Sequence, residues 1–260
     1  MNVENGNRLF TNSNAQWIQL EHNNLNLNNN RITNLANPVN ATDAVTKQYL
    51  DNYETAKANK AKYQKVLDDL KPKFWVSSTF PNGLDGTAST ITDLTGNGLT
   101  VTGSIPSTLI FPVSTRIQST TTFDKEFTFL IKAKKVSSTA KGRFFTSHSG
   151  NKLLGWWNGK IKSLYMDANV YGVTSNTTTG DSKTHTFMLV GNNDLKAFYH
   201  EKTTVVSSNN GSDTWGKVVL GQPWSPSTEN TEFQLYECIC FDKVLLETEE
   251  LFKLYDDIFA

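Results

Sequence analysis

Six tryptophans occur in the chain, and four of them stand where an indole has a chemical use. Trp156 and Trp157 are adjacent in Trp156-Trp157-Asn158-Gly159, so a strand there sends the two rings to opposite faces. Trp215 follows the turn-forming run Asn209-Asn-Gly-Ser-Asp213, and Trp224 lies within Gln222-Pro-Trp-Ser-Pro226. Aromatic faces in such settings stack on the C–H surface of sugars, while neighbouring Asn, Asp and Gln bond hydroxyls. The candidate ligand-binding residues are therefore Trp224 and Trp157 first, then Trp215 and Trp156. The competing role for each ring is a lid packed over the end of a β-sandwich.

Nothing in the chain argues for turnover. His22, His148, His185 and His200 are scattered without ligand spacing. No Gly-x-Ser-x-Gly elbow, P-loop or dinucleotide fingerprint is present. Glycosidic hydrolysis needs two carboxyl groups about 5–9 Å apart across a cleft. The nearest acids, Glu232, Glu237 and Asp242, are five residues apart and alternate faces of a regular strand. A structural hydrogen bond is the better account of Glu237, and no enzyme is expected. Asp85, Asp93 and Asn97 are oxygen donors of the kind Ca²⁺ prefers, but Asp and Asn also close turns with their own side chains. No cofactor is expected, with bound calcium the one alternative. Cys238 and Cys240 sit two apart on one strand face, poorly placed to bond each other, and read as buried thiols of a protein assembled in a reducing cytosol.

Short apolar runs must position these residues. Phe127–Ala133, Arg143–Thr146, Lys162–Met166, His185–Val190, Leu195–Tyr199, Lys217–Gly221 and Phe233–Phe241 alternate with Gly, Asn, Ser and Thr turns, the signature of a β-sandwich or barrel. Asn192-Asn193-Asp194 supplies a hairpin turn between two of them. Leu246–Phe259 predicts a short amphipathic helix closing the domain.

The N-terminal part differs in texture. Residues 1–40 hold fourteen asparagines and few large apolar side chains, which favours turns and short strands such as Ala15–Leu20, with disorder of residues 1–14 as the alternative. From Thr42-Asp43, an N-cap, to Pro72 the pattern is helical. Tyr49, Tyr53, Ala56, Lys60, Tyr63, Leu67 and Leu70 trace an a/d seam, with Lys60 at one d position. The alternative is an amphipathic helix lying on its own domain. Leu25, Leu27, Ile32 and Leu35 are too sparse for one copy of that segment to offset the entropy of ordering it, so it demands an oligomer.

Two stretches resemble known families. Leu25, Leu27, Ile32-Thr33-Asn34-Leu35, Pro38, Asp43-Ala44, Thr46-Lys47, Tyr49 and Asp51 together resemble the shaft or collar segment of phage tail fibres. That resemblance implies a trimer leading into a receptor-binding tip. Asp93-Leu-Thr-Gly-Asn-Gly98, Tyr236–Leu245 and Glu249–Tyr255 resemble the concanavalin A-like (laminin G-like) jelly rolls, which bind carbohydrate or protein and include some glycoside hydrolases. The hydrolases of that class carry Glu-x-Asp-x-x-Glu, a string absent here.

The expected organisation is thus an Asn-rich attachment and shaft segment over 1–41, a coiled-coil trimerisation helix over 42–72, and a mainly β jelly-roll head over 73–260. The expected function is that of a non-enzymatic virion fibre binding a host-surface glycan or protein, with other virion proteins as partners of the N-terminus. A structural fibre without a receptor role, and a depolymerase with acids between subunits, are the alternatives. Zero formal net charge and 19% charged residues argue against a nucleic-acid partner. No apolar run reaches the roughly 20 residues of a membrane span, and the first residues lack the pattern of a secretory signal.

Overall fold

The computed structural model describes residues 34–40, 42–136, 142–148, 152–157, 160–166, 169–173, 183–191, 196–200, 203–208, 214–221, 231–245 and 248–259. The chain divides into two units, Met1–Ala56 and Lys57–Ala260. Leu25, Leu27, Ile32, Ala15–Leu20, Asn192–Asp194 and Trp224 lie outside the described residues.

In the first unit Asn34 adopts φ 59°, the left-handed conformation that asparagine tolerates. The Asp43 carboxylate accepts the backbone N–H groups of Val39 and Asn40, each at 2.8 Å. It therefore serves the turn upstream, and those bonds hold its carboxyl below the ordinary aspartate value. The helix α1 (Lys47–Leu70) starts later than the expected Thr42-Asp43 cap. Thr46 is the cap instead, its hydroxyl accepting the Tyr49 N–H at 3.0 Å. Among the first turns Val45, Tyr49, Leu50 and Tyr53 are exposed.

The second unit is a sandwich of two antiparallel sheets. In chain order the strands are β1 (Phe74–Ser77), β2 (Leu99–Thr102), β3 (Ile110–Phe111), β4 (Arg116–Phe123), β5 (Phe127–Lys135), β6 (Gly142–Ser147) and β7 (Leu153–Trp157). There follow β8 (Lys160–Met166), β9 (Asn169–Val173), β10 (Thr184–Gly191), β11 (Lys196–His200), β12 (Thr203–Ser208), β13 (Gly216–Gly221) and β14 (Phe233–Phe241). One sheet runs β1-β14-β5-β10-β11-β12, with β3 also on β14; the other runs β2-β4-β13-β6-β7-β8-β9.

Side-chain alternation builds two cores on the first sheet. On β5, Phe127, Phe129, Ile131 and Ala133 face the space between the sheets, while Leu130 faces the other way. Phe74, Leu189, Cys238 and Cys240 join the inner core, and Trp75, Met188, Val190, Ile239 and Phe241 the outer one. This sheet therefore reads as continuous apolar runs, because helices cover its second face. The covering residues are Tyr63 and Val66 of α1 with Leu254 and Ile258 of α2 (Thr248–Phe259), the amphipathic closing helix. Lys71, at φ 52°, ends α1 in the left-handed conformation, and Pro72 follows.

The seam expected to run on through Tyr63, Leu67 and Leu70 is thus turned onto the same chain. Tyr63 is only 4% exposed, and Leu67 and Leu70 pack against the outer core. The second face of the first sheet is apolar across β1, β14, β5 and β10, and α1 and α2 both pack on it. Ala56 and Lys60 remain exposed.

Candidate functional site

Glu237 is a buried carboxyl whose place is set by a bulge. Along β14 the pairing with β5 slips between Leu235, opposite Ala133, and Glu237, opposite Lys132. The extra residue resets the alternation and removes the parity on which the sequence argument set Glu232 and Glu237 on opposite faces. Glu237 comes to lie under α1 and is 4% exposed. Its Oε1 accepts the Tyr63 hydroxyl and, at 2.7 Å, the Ser77 hydroxyl; its Oε2 accepts the Trp75 indole N–H at 2.9 Å. The Tyr63 ring stacks on Trp75 with centroids 4.7 Å apart, and Phe80 meets it edge-on at 4.8 Å. Burial pushes the Glu237 carboxyl up to about 7, outweighing the three donors, which favour the charged form. Burial and the neighbouring carboxylate hold the Tyr63 hydroxyl well above its ordinary value, so it stays a donor. A carboxyl shut beneath a helix reaches no substrate. Glu237 joins helix to sheet, the structural role expected of it.

Asp93 is the second buried acid. One of its oxygens accepts the Trp75 N–H at 2.9 Å and the Thr95 N–H at 3.1 Å; the other accepts the Gly98 N–H at 3.0 Å. Asn97 donates to the Lys73 carbonyl at 3.0 Å. Together they fasten the 93–98 loop along β1, covering a sheet edge. Burial raises the Asp93 carboxyl against the lowering effect of those bonds. The turn is accounted for by N–H and hydroxyl donors, and among the described residues no three His, Cys, Asp or Glu side chains converge as a metal would require.

The tryptophans divide. Trp156 and Trp215 are fully buried and cannot offer a ring to a ligand, which corrects their assignment as binding residues. Trp215 meets Phe129 edge-on at 5.1 Å, and Trp156 lies 4.5 Å from Phe144, filling the inner core. The sequence hid this because Trp215 follows a turn and yet directly precedes β13, and its ring points inward. Trp157 lies on β7, and its ring is not among the described side chains. His185 is buried on β10 and His148 is exposed beside β6, in different sheets. Cys238 and Cys240 are buried thiols with sulfurs 3.8 Å apart, as the strand spacing implied. Burial drives the Cys240 thiol upward, so it stays protonated.

Among the described residues, two clefts are lined in part by α1. One, of about 510 Å³, has Val66, Leu70 and Leu254 as floor and Lys62, Lys65 and Lys253 at its rim. The other, of about 600 Å³, lies between the Lys60–Lys71 stretch of α1 and the segments 83–85 and 92–96. Neither could be read from the sequence, since both require the helix to lie on the sandwich.

No protein-family model matches the chain, and no curated protein does. Solved structures do. The chain is similar to a type C botulinum neurotoxin structure, from work on cell entry that depends on two ganglioside molecules. There the identity is 10% and the TM-score 0.51, over 72% of this chain and 51% of that one. It is also similar to the binding domain of botulinum neurotoxin DC in complex with rat synaptotagmin II, at 10% identity and TM-score 0.51 over 72% and 51%. A third is domain 4 of AbnA, a GH43 extracellular arabinanase from Geobacillus stearothermophilus, in complex with arabinotriose. That match has 14% identity and a TM-score of 0.50, over 70% of this chain and 97% of that domain. The chain spans about half the length of the neurotoxin structures it matches. At these identities the shared property is the fold, a β-sandwich of antiparallel sheets.

Proposed function

We propose that the chain is a virion fibre protein, of phage tail or head, whose jelly-roll head binds a host-surface carbohydrate or protein by adhesion and without turnover. The observation that carries this reading is the divided use of α1. Its last turns are spent on the head through Tyr63 and Val66, while its first turns expose Tyr49 and Tyr53 at a/d spacing after the shaft-like sequence. A homotrimeric seam is accordingly confined to Tyr49, Tyr53 and Ala56, while Lys60, the next position of the expected seam, lines a cleft on the head. Residues 1–41 attach to other virion proteins, assembly takes place in the host cytoplasm, and no membrane insertion or nucleic acid is involved. Among the described residues no helix is long and apolar enough to cross a membrane.

The fold neighbours support the adhesive role, since their structures concern gangliosides, a synaptotagmin and arabinotriose. Three copies of a weak site gain avidity without new contacts. Trp224 and Trp157 remain the proposed ring contacts.

The test is light scattering of the full chain together with attachment to host cells and incubation with host surface polysaccharide. A trimer that attaches and releases no sugar is expected. Trp157→Ala with Trp224→Ala lowers attachment while Tyr49→Ser with Tyr53→Ser dissociates the trimer. Released oligosaccharide overturns the adhesive reading, and failure to attach leaves a structural fibre.

A further inference from the structure

Lys60, Gln64, Leu67 and Lys71 follow one another at spacings of four, three and four residues, so they share one face of α1 and its end. That face forms one wall of the 600 Å³ cleft. Leu67, Leu84 and Leu94 line its base, each half-buried and packed on the outer core, which fixes them. The 92–96 part of the opposite wall is tied to β1, where Asp93 accepts the Trp75 N–H, and is closed on itself by the Gly98 N–H. Gly83 and Gly96, at φ 89° and 78°, bring bare backbone to the cleft edge.

The rim carries two ammonium groups and the Asp85 carboxylate, with the buried Asp93 carboxyl in the wall behind. Among the described residues no ion pair ties down Lys60 or Lys71. They stand about 16 Å apart along the helix at 1.5 Å per residue. Asp85 faces them from the loop, its carboxyl lowered chiefly by the Thr87 N–H and also by the Lys60 charge. An apolar base, hydroxyl-bonding groups at Asp85 and Thr92, and two separated cations fit an extended ligand with C–H faces, hydroxyls and spaced negative charges. A nucleic-acid strand fits poorly, since among the described residues no aromatic ring lines the cleft to receive a base.

We propose that this cleft binds an acidic oligosaccharide of the host surface, with Lys60 and Lys71 each meeting one of its negative groups and Asp85 its hydroxyls. The inference rests on the receptor-binding reading and adds a contact that does not depend on the tryptophans. It is tested on the full chain by calorimetric titration with oligomers of galacturonic acid and of α-2,8-linked sialic acid, against maltohexaose, at low and high salt. The acidic oligomers bind, salt weakens them, and maltohexaose does not bind. Lys60→Ala with Lys71→Ala costs about tenfold or more in affinity. Lys62→Ala with Lys253→Ala, in the neighbouring cleft, leaves affinity unchanged. All four lysines lie at the surface, and unchanged thermal melting verifies that the variants fold. The proposal falls if the wild type binds neither acidic oligomer, binds maltohexaose equally well, or binds undiminished without Lys60 and Lys71. Cell attachment separates the two levels. A Lys60/Lys71 variant that attaches like wild type overturns this site alone, whereas a wild type that does not attach overturns the receptor role.

Discussion

Glu237→Gln replaces a titrating carboxyl by a neutral group of the same shape at the junction of α1 and the sandwich. In the folded protein the Glu237 carboxyl stands at about 7, against an ordinary 4.5, because burial opposes its ionisation. The folded state therefore holds this proton over a pH range in which the unfolded chain has released it. Its contribution to stability is complete below about pH 4.5 and is lost as pH rises to about 7. At about 1.4 kcal/mol per unit, the loss is on the order of 3 kcal/mol. The Gln side chain keeps the shape: its carbonyl accepts the Trp75 N–H, and its amide donates to the Tyr63 hydroxyl, which rotates to accept. Urea unfolding of both proteins from pH 4.5 to 8 measures the effect. The stability difference should shift toward the variant by about 3 kcal/mol across that interval, then level off. Subtracting the two curves cancels the other acids. A pH-independent difference would refute the claim that this carboxyl is protonated by burial.

Asp93→Ala leaves the buried Trp75 N–H without its acceptor and should cost about 2–4 kcal/mol in urea unfolding, far more than substitution of the exposed Asp85. Trp215→Ala opens a cavity in the inner core, and a loss of about 3–5 kcal/mol with unchanged ligand affinity per folded molecule is expected. Gly221→Ala adds a methyl group that collides with the Thr115 carbonyl at φ 90°, so a drop of about 3 kcal/mol or failure to fold is expected, read by thermal melting.

The strands foreseen from the sequence are those with aromatic or aliphatic alternation, such as β5, β10 and β14. Those missed include the short apolar β1 and β7, along with the Thr- and Ser-rich β4, Arg-Ile-Gln-Ser-Thr-Thr-Thr-Phe, and β12, Thr-Thr-Val-Val-Ser-Ser. Their β-branched residues suit a pleated surface, but so does any polar loop rich in threonine, and only the partner strand decides. The helix was legible in extent but not in allegiance. Tyr63 has the spacing of a seam residue, and nothing local announces that a carboxylate and an indole wait for its ring on β14 and β1. The Asp93 turn was legible because its bonds are mostly short-range. Glu237 was placed in a structural role, while its parity was misjudged because a bulge leaves no mark in composition.

That bulge has a consequence for how the gene can change length. Tyr236 is the extra unit in β14, lying between Leu235 opposite Ala133 and Glu237 opposite Lys132. Deleting Tyr236 restores one-to-one pairing and keeps Phe233, Leu235, Cys238 and Cys240 inward. Deleting any single residue from Cys238 to Cys240 sends inner side chains outward and outer ones inward. The strand has one spare codon, at position 236, and a length change among those three lands in both hydrophobic cores at once.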